Sequence, residues 1–379
     1  MDFAQILSSF GGGAFTIIAF VVALSVIVAI HEYGHYIVGR WCGIYAEVFS
    51  IGFGPVLYKR TDKRGTVWQV AALPFGGYVR FLGDANAAGV GETGEVSEAD
   101  VRRSMAGAPL WARSLTVLAG PVFNFILAIA IFAGIAMSDG RSTDPLTYES
   151  GRDLPAQFTS ELRAGDQILR VEGLPFGTDD PLIDELPYSA TLAYDILRAG
   201  EAMTVTGPYL MPSAVTGINP RSAADDAGLR KNDVITAIDG KPVVAFAQLI
   251  EAVQAADGAP LTLDVWRAGE VDQFTLAPRR VDIPLREGGF ETRWLIGVTG
   301  AVFFDEATTR LGIWESLTGA TRQLTFILKS SLSGLWNVIT GQISSCNLSG
   351  PVGIAQTSGT MAAQGATSFV WFLGMLSAA

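Results

Sequence analysis

Histidine and cysteine are nearly absent from this 379-residue chain, which holds two of each. Two cysteines, Cys42 and Cys346, are too few for a disulfide-stapled scaffold. Charge is scarce as well. Only 17% of residues are charged, 49% are hydrophobic and the mean hydropathy is +0.34, which excludes an ordinary soluble domain. The formal net charge of -11 argues against nucleic acid as a partner. No Lys or Arg occurs in the first thirteen residues, so there is no basic n-region and a cleavable signal peptide is not expected. No Lys-Ser or Lys-Thr follows Gly52-Phe53-Gly54 or Gly76-Gly77, so neither glycine group reads as a phosphate loop. Beyond Glu315 the sequence has no Asp or Glu.

Against that scarcity, the two histidines stand four residues apart, in His31-Glu32-Tyr33-Gly34-His35, directly after an uncharged apolar run over residues 14–30. On a helix, positions i and i+4 share a face, so both imidazoles can hold one zinc ion. Glu32 is then near enough to act as general base toward water and to return the proton to a leaving amine. The plain alternative is a chance pattern in a packed helix. Against it, a charge at the bilayer centre costs about 2.5–3.5 kcal/mol on insertion scales, so ionisable groups there serve a purpose. The placement suggests peptide hydrolysis inside a bilayer.

Charge distribution sets an expected topology. Between residues 40 and 113 there are nine Lys+Arg against seven Asp+Glu; between 138 and 322 there are 16 against 28. Positive charge near the ends of spans marks the cytoplasmic side. The 40–113 loop is therefore expected in the cytoplasm, with the N-terminus and the large acidic region outside. That topology separates Cys42 from Cys346, and no disulfide between them is expected.

The chain divides into seven expected segments. Residues 1–40 form a first membrane helix carrying the histidines, and 111–138 form a second. Between them, 41–110 holds two strands, 67–73 and 78–82, with Pro74-Phe75-Gly76-Gly77 as the turn joining them. Residues 84–100, rich in Gly, Ala and Glu, read as a flexible loop. The outer region contains an imperfect repeat at a spacing of about 67 residues, Leu162-Arg163-Ala164-Gly165-Asp166 against Leu229-Arg230-Lys231-Asn232-Asp233, which implies two small domains over 139–212 and 213–300. Residues 301–350 include apolar positions at helical spacing over 322–340, read as an amphipathic interfacial helix, with a third span as the alternative. Residues 351–379 read as the start of an incomplete third core membrane helix, and their last apolar run, 368–379, is too short to span a bilayer. Trp41, Trp68, Trp111, Trp336 and Trp371 are expected as interface anchors.

Five blocks then resemble a known family. They are His31-Glu32-Tyr33-Gly34-His35; Phe49-Ser50-Ile51-Gly52-Phe53-Gly54-Pro55; Leu73-Pro74-Phe75-Gly76-Gly77-Tyr78-Val79; Ala119-Gly120-Pro121-Val122-Phe123-Asn124-Phe125; and Asn347-Leu348-Ser349-Gly350-Pro351-Val352-Gly353. In this order they resemble the bacterial site-2 proteases of the regulator-of-sigma-E type, intramembrane zinc metalloproteases. The resemblance implies a polytopic α-helical membrane protein with a membrane-associated β-hairpin and two tandem extracytoplasmic PDZ-like (α+β) domains. It implies Zn2+ as cofactor and the bacterial inner membrane as location, with the PDZ-like domains periplasmic and HExxH near the cytoplasmic side. The partners it implies are the lipid bilayer and a single-pass transmembrane substrate of the anti-sigma-factor type. The family's third zinc ligand is an aspartate in a Leu-Asp-Gly motif after the Ser-Gly-Pro block, and no such motif occurs here. Ile238-Asp239-Gly240 imitates it but reads as a turn. The expectation is a chain cut short before that motif and, as written, weak in zinc binding.

The remaining candidates carry two readings each. Gly52, Gly54, Gly76 and Gly77 are ordinary turn glycines, or, by resemblance, part of a reentrant hairpin that presents an edge to an extended substrate. Asn124 makes an interhelical hydrogen bond worth about 0.6–2 kcal/mol, or contacts substrate near zinc. Ile296-Gly297-Val298 would, by resemblance, be the loop of the second PDZ-like domain that receives a peptide C-terminus; a size filter needs no such binding. Beside the protease reading stand a catalytically incomplete membrane PDZ scaffold and an unrelated metalloprotease whose HExxH faces water.

Overall fold

The computed structural model describes residues 12–84, 100–176, 185–284, 290–341 and 350–379. Cys346, Asn347-Leu348-Ser349 of the last block and most of the expected 84–100 loop lie outside the described residues. The chain forms two compact units. One comprises Met1–Met137, Gly312–Leu332 and Leu348–Ala379; the other comprises Ser138–Leu311 and Ser333–Asn347.

In the first unit, the uncharged run and the histidine motif form one 30-residue helix, α1 (Gly12–Trp41). It stops where Gly43 turns into the left-handed region (φ 84°) and Ile44 donates back to the Gly39 carbonyl. A second 30-residue helix, α2 (Leu110–Asp139), covers the expected 111–138 with one more residue at each end. Both are long and apolar enough to cross a membrane. Gly34 and Gly39 let other elements approach α1: a Cβ at Gly34 would lie 2.6 Å from the Ala119 carbonyl oxygen, and one at Gly39 would press on the Phe81 ring.

Between the helices run β1 (Ala46–Thr61) and β2 (Val67–Phe81), joined by a turn over 62–66. The two expected strands, 67–73 and 78–82, both fall in β2 but do not pair with each other across Pro74–Gly77. Residues 48–51 of β1 lie between them, partnered by 80 down to 77 on one side and by 67 up to 70 on the other. Residues 58–61 of β1 return along 70 to 67. The hairpin is thus a ribbon four segments wide, with the apolar Phe49 and Ile51 segment as its centre. Physical reason favours this arrangement: Phe49 is buried against Tyr36 and Trp68, and a two-stranded hairpin over 67–82 would leave it no such seat.

Three further helices follow: α3 (Ile313–Ile339), α4 (Pro351–Ala363) and α5 (Ala366–Ala378). The expected amphipathic helix starts nine residues earlier than the apolar pattern over 322–340 shows. Ala320, Leu324 and Ile327 of α3 pack with Ala128, Phe132 and Ala133 of α2. The terminal segment is two helices rather than one, broken at Gly365 (φ 122°).

The second unit contains two four-stranded antiparallel sheets of the same order. In the first, strands β3 (Gln167–Val171), β4 (Leu174–Pro175), β5 (Thr191–Arg198) and β6 (Glu201–Pro208) lie as β4-β3-β5-β6. In the second, β7 (Val234–Ile238), β8 (Lys241–Pro242), β9 (Leu261–Arg267) and β10 (Glu270–Leu276) lie as β8-β7-β9-β10. The repeat seen in the sequence extends to side chains. Asp166 accepts the Arg163 N–H and two guanidinium bonds from Arg198, each 2.7 Å. Asp233 accepts the Arg230 N–H and two bonds from Arg267 at the same distance. Both carboxylates are buried. Burial pushes the Asp166 carboxyl up, but the Arg198 hydrogen bond, the Arg163 N–H and the neighbouring positive charge outweigh it and hold it below the usual carboxylate range.

Candidate metal centre

The site begins with helical spacing. His31 and His35 are one turn apart on α1, and their rings meet edge to face with centroids 4.8 Å apart. A single stripe of α2, at positions 116, 120 and 124, lies against them. His35 Nδ1 is 2.7 Å from the Thr116 carbonyl oxygen. A carbonyl only accepts, so Nδ1 carries the proton and His35 Nε2 keeps its lone pair. His31 Nδ1 is 3.2 Å from the Asn124 amide.

Between these contacts sits Gly120. A Cβ built there would lie 2.6 Å from His31 Nε2 and closer still to His35 Nε2. Both Nε2 atoms therefore converge on a space that exists because residue 120 has no side chain. Zinc–imidazole bonds are about 2.0–2.1 Å, and two imidazole nitrogens aimed at one point suit that ion. Pro121, the next residue, cannot donate to the carbonyl one turn back.

Glu32 faces the ribbon. The Val79 backbone N–H is directed at its carboxylate, and a Cβ at Gly77 would lie 3.3 Å from Glu32 Cγ and 2.7 Å from the Ser50 carbonyl oxygen. Gly77 thus lets the ribbon lie against α1 beside the proposed base. Gly52 and Gly54 take left-handed conformations (φ 90° and 82°), and Gly52 sits where β1 crosses the Ala71 and Leu73 carbonyls. Gly76 is at φ 149° against the Phe53 ring. These three serve the ribbon's own path.

The ribbon is also fixed at its far end. Tyr36, one residue beyond His35, donates to Asp62 at 3.2 Å, as does Trp68 Nε1 at 3.3 Å, and Arg40 is 3.6 Å away. The Arg64 and Thr66 N–H groups complete the shell around Asp62. Trp68 also packs within the ribbon: its ring lies tilted against Phe49 with centroids 4.3 Å apart and meets Tyr36 edge-on. Trp41, Trp111 and Trp336 are exposed.

The other candidates lie in the second unit. Ile296 is buried, Gly297 is at φ 85° against Ser222, and Val298 pairs with Ile218. Asp239 is in a turn at φ 48° and accepts the Thr262 N–H. Among the described residues no group of three or more His, Cys, Asp or Glu side chains could hold a metal ion.

Sequence reasoning assigned no role to Thr116, Gly120 or Val79. Two act through the backbone and one through a missing side chain. The available signal was the spacing 116, 120 and 124, which repeats the four-residue step of the histidines.

The family model of peptidase family M50 matches residues 19–379. A protein of Agrobacterium fabrum assigned by its name to the zinc metalloproteases, Atu1380, is 31% identical over 365 residues, 95% of this chain and 79% of its own length. The regulator of sigma-E protease RseP of Salmonella typhimurium is 30% identical over 392 residues, 95% of this chain and 84% of its own. Among solved structures, the PDZ domain of an SdrC-like protein from Listeria monocytogenes overlaps 23% of this chain and 84% of its own at 20% identity and a TM-score of 0.19. The HtrA3 PDZ domain overlaps 30% of this chain and 89% of its own at 23% identity and a TM-score of 0.16.

Proposed function

This chain belongs to peptidase family M50, the site-2 proteases, and is a zinc metalloendopeptidase of that type; from that premise we propose that it cleaves a single-pass membrane protein within the bilayer. The observation that carries the reading is the convergence of the His31 and His35 Nε2 atoms on the space left by Gly120, with Glu32 one residue along. His31 and His35 would hold Zn2+, which would supply Lewis-acid activation of water and of the scissile carbonyl. Glu32 takes the proton from the attacking water and delivers it to the leaving amine.

The ribbon receives the substrate. A helical peptide bond is shielded, so the substrate must be extended before attack. The 58–61 segment pairs on one side only in the ribbon, and Leu57 and Tyr58 beside it are 71% and 63% exposed. Strand addition there would hold an extended substrate by its backbone. The two repeated modules are read as periplasmic PDZ-like domains that filter substrates by size or receive a peptide C-terminus near Ile296-Gly297-Val298. The location is the bacterial inner membrane, multi-pass, and the substrate class is an anti-sigma factor, a reading supported by the name of the Salmonella relative.

A second reading, a catalytically incomplete scaffold, draws support from the missing third ligand among the described residues. One experiment separates them. The protein is reconstituted in vesicles with a single-pass reporter, and zinc content and cleavage are measured for it and for Glu32→Gln. The protease reading expects zinc-dependent cleavage, with Glu32→Gln retaining zinc and losing turnover. Absence of zinc and of cleavage, in a chain extended to include any Leu-Asp-Gly segment encoded after Ala379, supports the scaffold.

A further inference from the structure

We propose that Asn124 is a positioning residue for His31: its side-chain oxygen accepts the proton on Nδ1 and leaves Nε2 bare toward the metal position. The identity of the metal rests on the metallopeptidase reading; the hydrogen bond does not.

The argument starts from the symmetry of the two histidines. Both Nε2 atoms face the space at Gly120. A ligand nitrogen must offer a lone pair, so each ring must carry its proton on Nδ1. For His35 the Thr116 carbonyl, 2.7 Å away, enforces this. His31 Nδ1 has the Asn124 amide at 3.2 Å in the same role, one helical turn beyond Gly120. An amide presents either a nitrogen that donates or an oxygen that accepts. With the nitrogen on the ring, Oδ1 is buried without a partner, so nothing on the oxygen resists a half-turn of the amide. After that turn Oδ1 accepts from Nδ1–H, and the two rings share one proton arrangement.

The placement of Asn124 is itself braced. Its main-chain carbonyl accepts a 2.8 Å bond from Ser377 of α5, and Ser377 is buried. The side chain thus points at His31 from a fixed turn of α2. Direct contact with substrate, the other role considered for Asn124, would require the amide to leave the ring.

The chain's two histidines make the test direct, because 15N-histidine labelling reports on these two rings only. The metal-free protein in detergent micelles is expected to show both rings protonated on Nδ1. Asn124→Leu removes the acceptor: His31 should shift toward the Nε2–H form while His35 stays as it was. Asn124→Asp keeps an acceptor and should keep the Nδ1–H form. Zinc titration followed on the same signals should show about 10- to 100-fold weaker binding for Asn124→Leu and no loss for Asn124→Asp. If the leucine variant does not fold, Asn124→Ala takes its place. A His31 ring protonated on Nε2 in the unsubstituted protein overturns the proposal. So does an unchanged tautomer in Asn124→Leu, which returns Asn124 to substrate contact. If no form of the protein binds zinc, the metallopeptidase reading fails while the tautomers still decide the role of Asn124.

Discussion

Gly120→Ala should remove metal binding through a single added methyl group. Its Cβ would stand 2.6 Å from His31 Nε2 and nearer to His35 Nε2, whereas real Cβ atoms essentially never come within 3.0 Å of another heavy atom. The methyl would also fill the region that an ion at about 2.0–2.1 Å from each nitrogen must occupy. Relief requires the imidazoles to withdraw, which breaks the 2.7 Å contact of His35 with the Thr116 carbonyl. Overpacking of this kind costs about 1–3 kcal/mol. Alanine returns up to about 1 kcal/mol of helix propensity, so the net loss of stability should be small. Zinc affinity should fall at least about tenfold, the lower end of what loss of a ligand's outer support costs. Gly134→Ala is the control, because its Cβ would meet nothing within 4 Å on the same helix. Zinc binding is measured by titration against a chromogenic chelator, with helix content followed by circular dichroism. Zinc affinity in Gly120→Ala equal to that of the unsubstituted chain would refute the assignment of this space to the metal.

Gly77→Val should unseat the ribbon from α1, because its Cβ would meet the Ser50 carbonyl, Val28 and Glu32 at 2.7–3.3 Å; cleavage should fall while zinc content holds, and protease sensitivity of the ribbon should rise. Asp166→Ala should lower the urea unfolding midpoint of the second unit by removing the acceptor of the Arg163 N–H and of two Arg198 bonds. The same carboxylate sets a pH dependence: its folded pKa is depressed, so its contribution is present above the unfolded pKa and disappears as pH falls through the lowered folded value. Acid titration of the unfolding midpoint should show that loss, and Asp166→Asn should remove it.

The chemistry of the site was legible because HExxH needs only helical spacing, and α1 supplies it. The repeat was legible from two aligned stretches that end in Asp166 and Asp233, and the structure carries it on to their arginine partners, which those stretches did not reach. Arg198 and Arg267 lie on strands whose partnering with Asp166 and Asp233 depends on sheet order, which no local pattern encodes. The ribbon was misread for a similar reason. Pro74-Phe75-Gly76-Gly77 has the composition of a hairpin turn, yet the flanking segments pair with a third, more apolar segment instead of each other. Trp68 was grouped with interface anchors on residue type alone, and its indole serves Asp62 and Phe49. Asn124 had an interhelical hydrogen bond as one of its two readings; its partner, His31, is fixed by the approach of two helices 93 residues apart in the chain.

That approach also explains why glycine, and not a larger residue, supports the site. Between apolar helices in lipid there is no hydrophobic driving force, so close backbone approach and interhelical hydrogen bonds provide the attraction. A Cβ at Gly34 would stand 2.6 to 2.9 Å from the Ala119 carbonyl oxygen and the Phe123 side chain, so only glycine admits them. Gly359 of α4 does the same for Thr16 of α1, and Gly374 of α5 for Ile131 and Phe132 of α2. Gly120 differs from these. The nearest groups that its missing side chain admits are two ring nitrogens able to ligate a metal. Helix propensity alone favours alanine there, so it is the two rings against Gly120 that require the glycine. That is why a loss of metal binding on adding one methyl group, with the fold retained, is the outcome this packing requires.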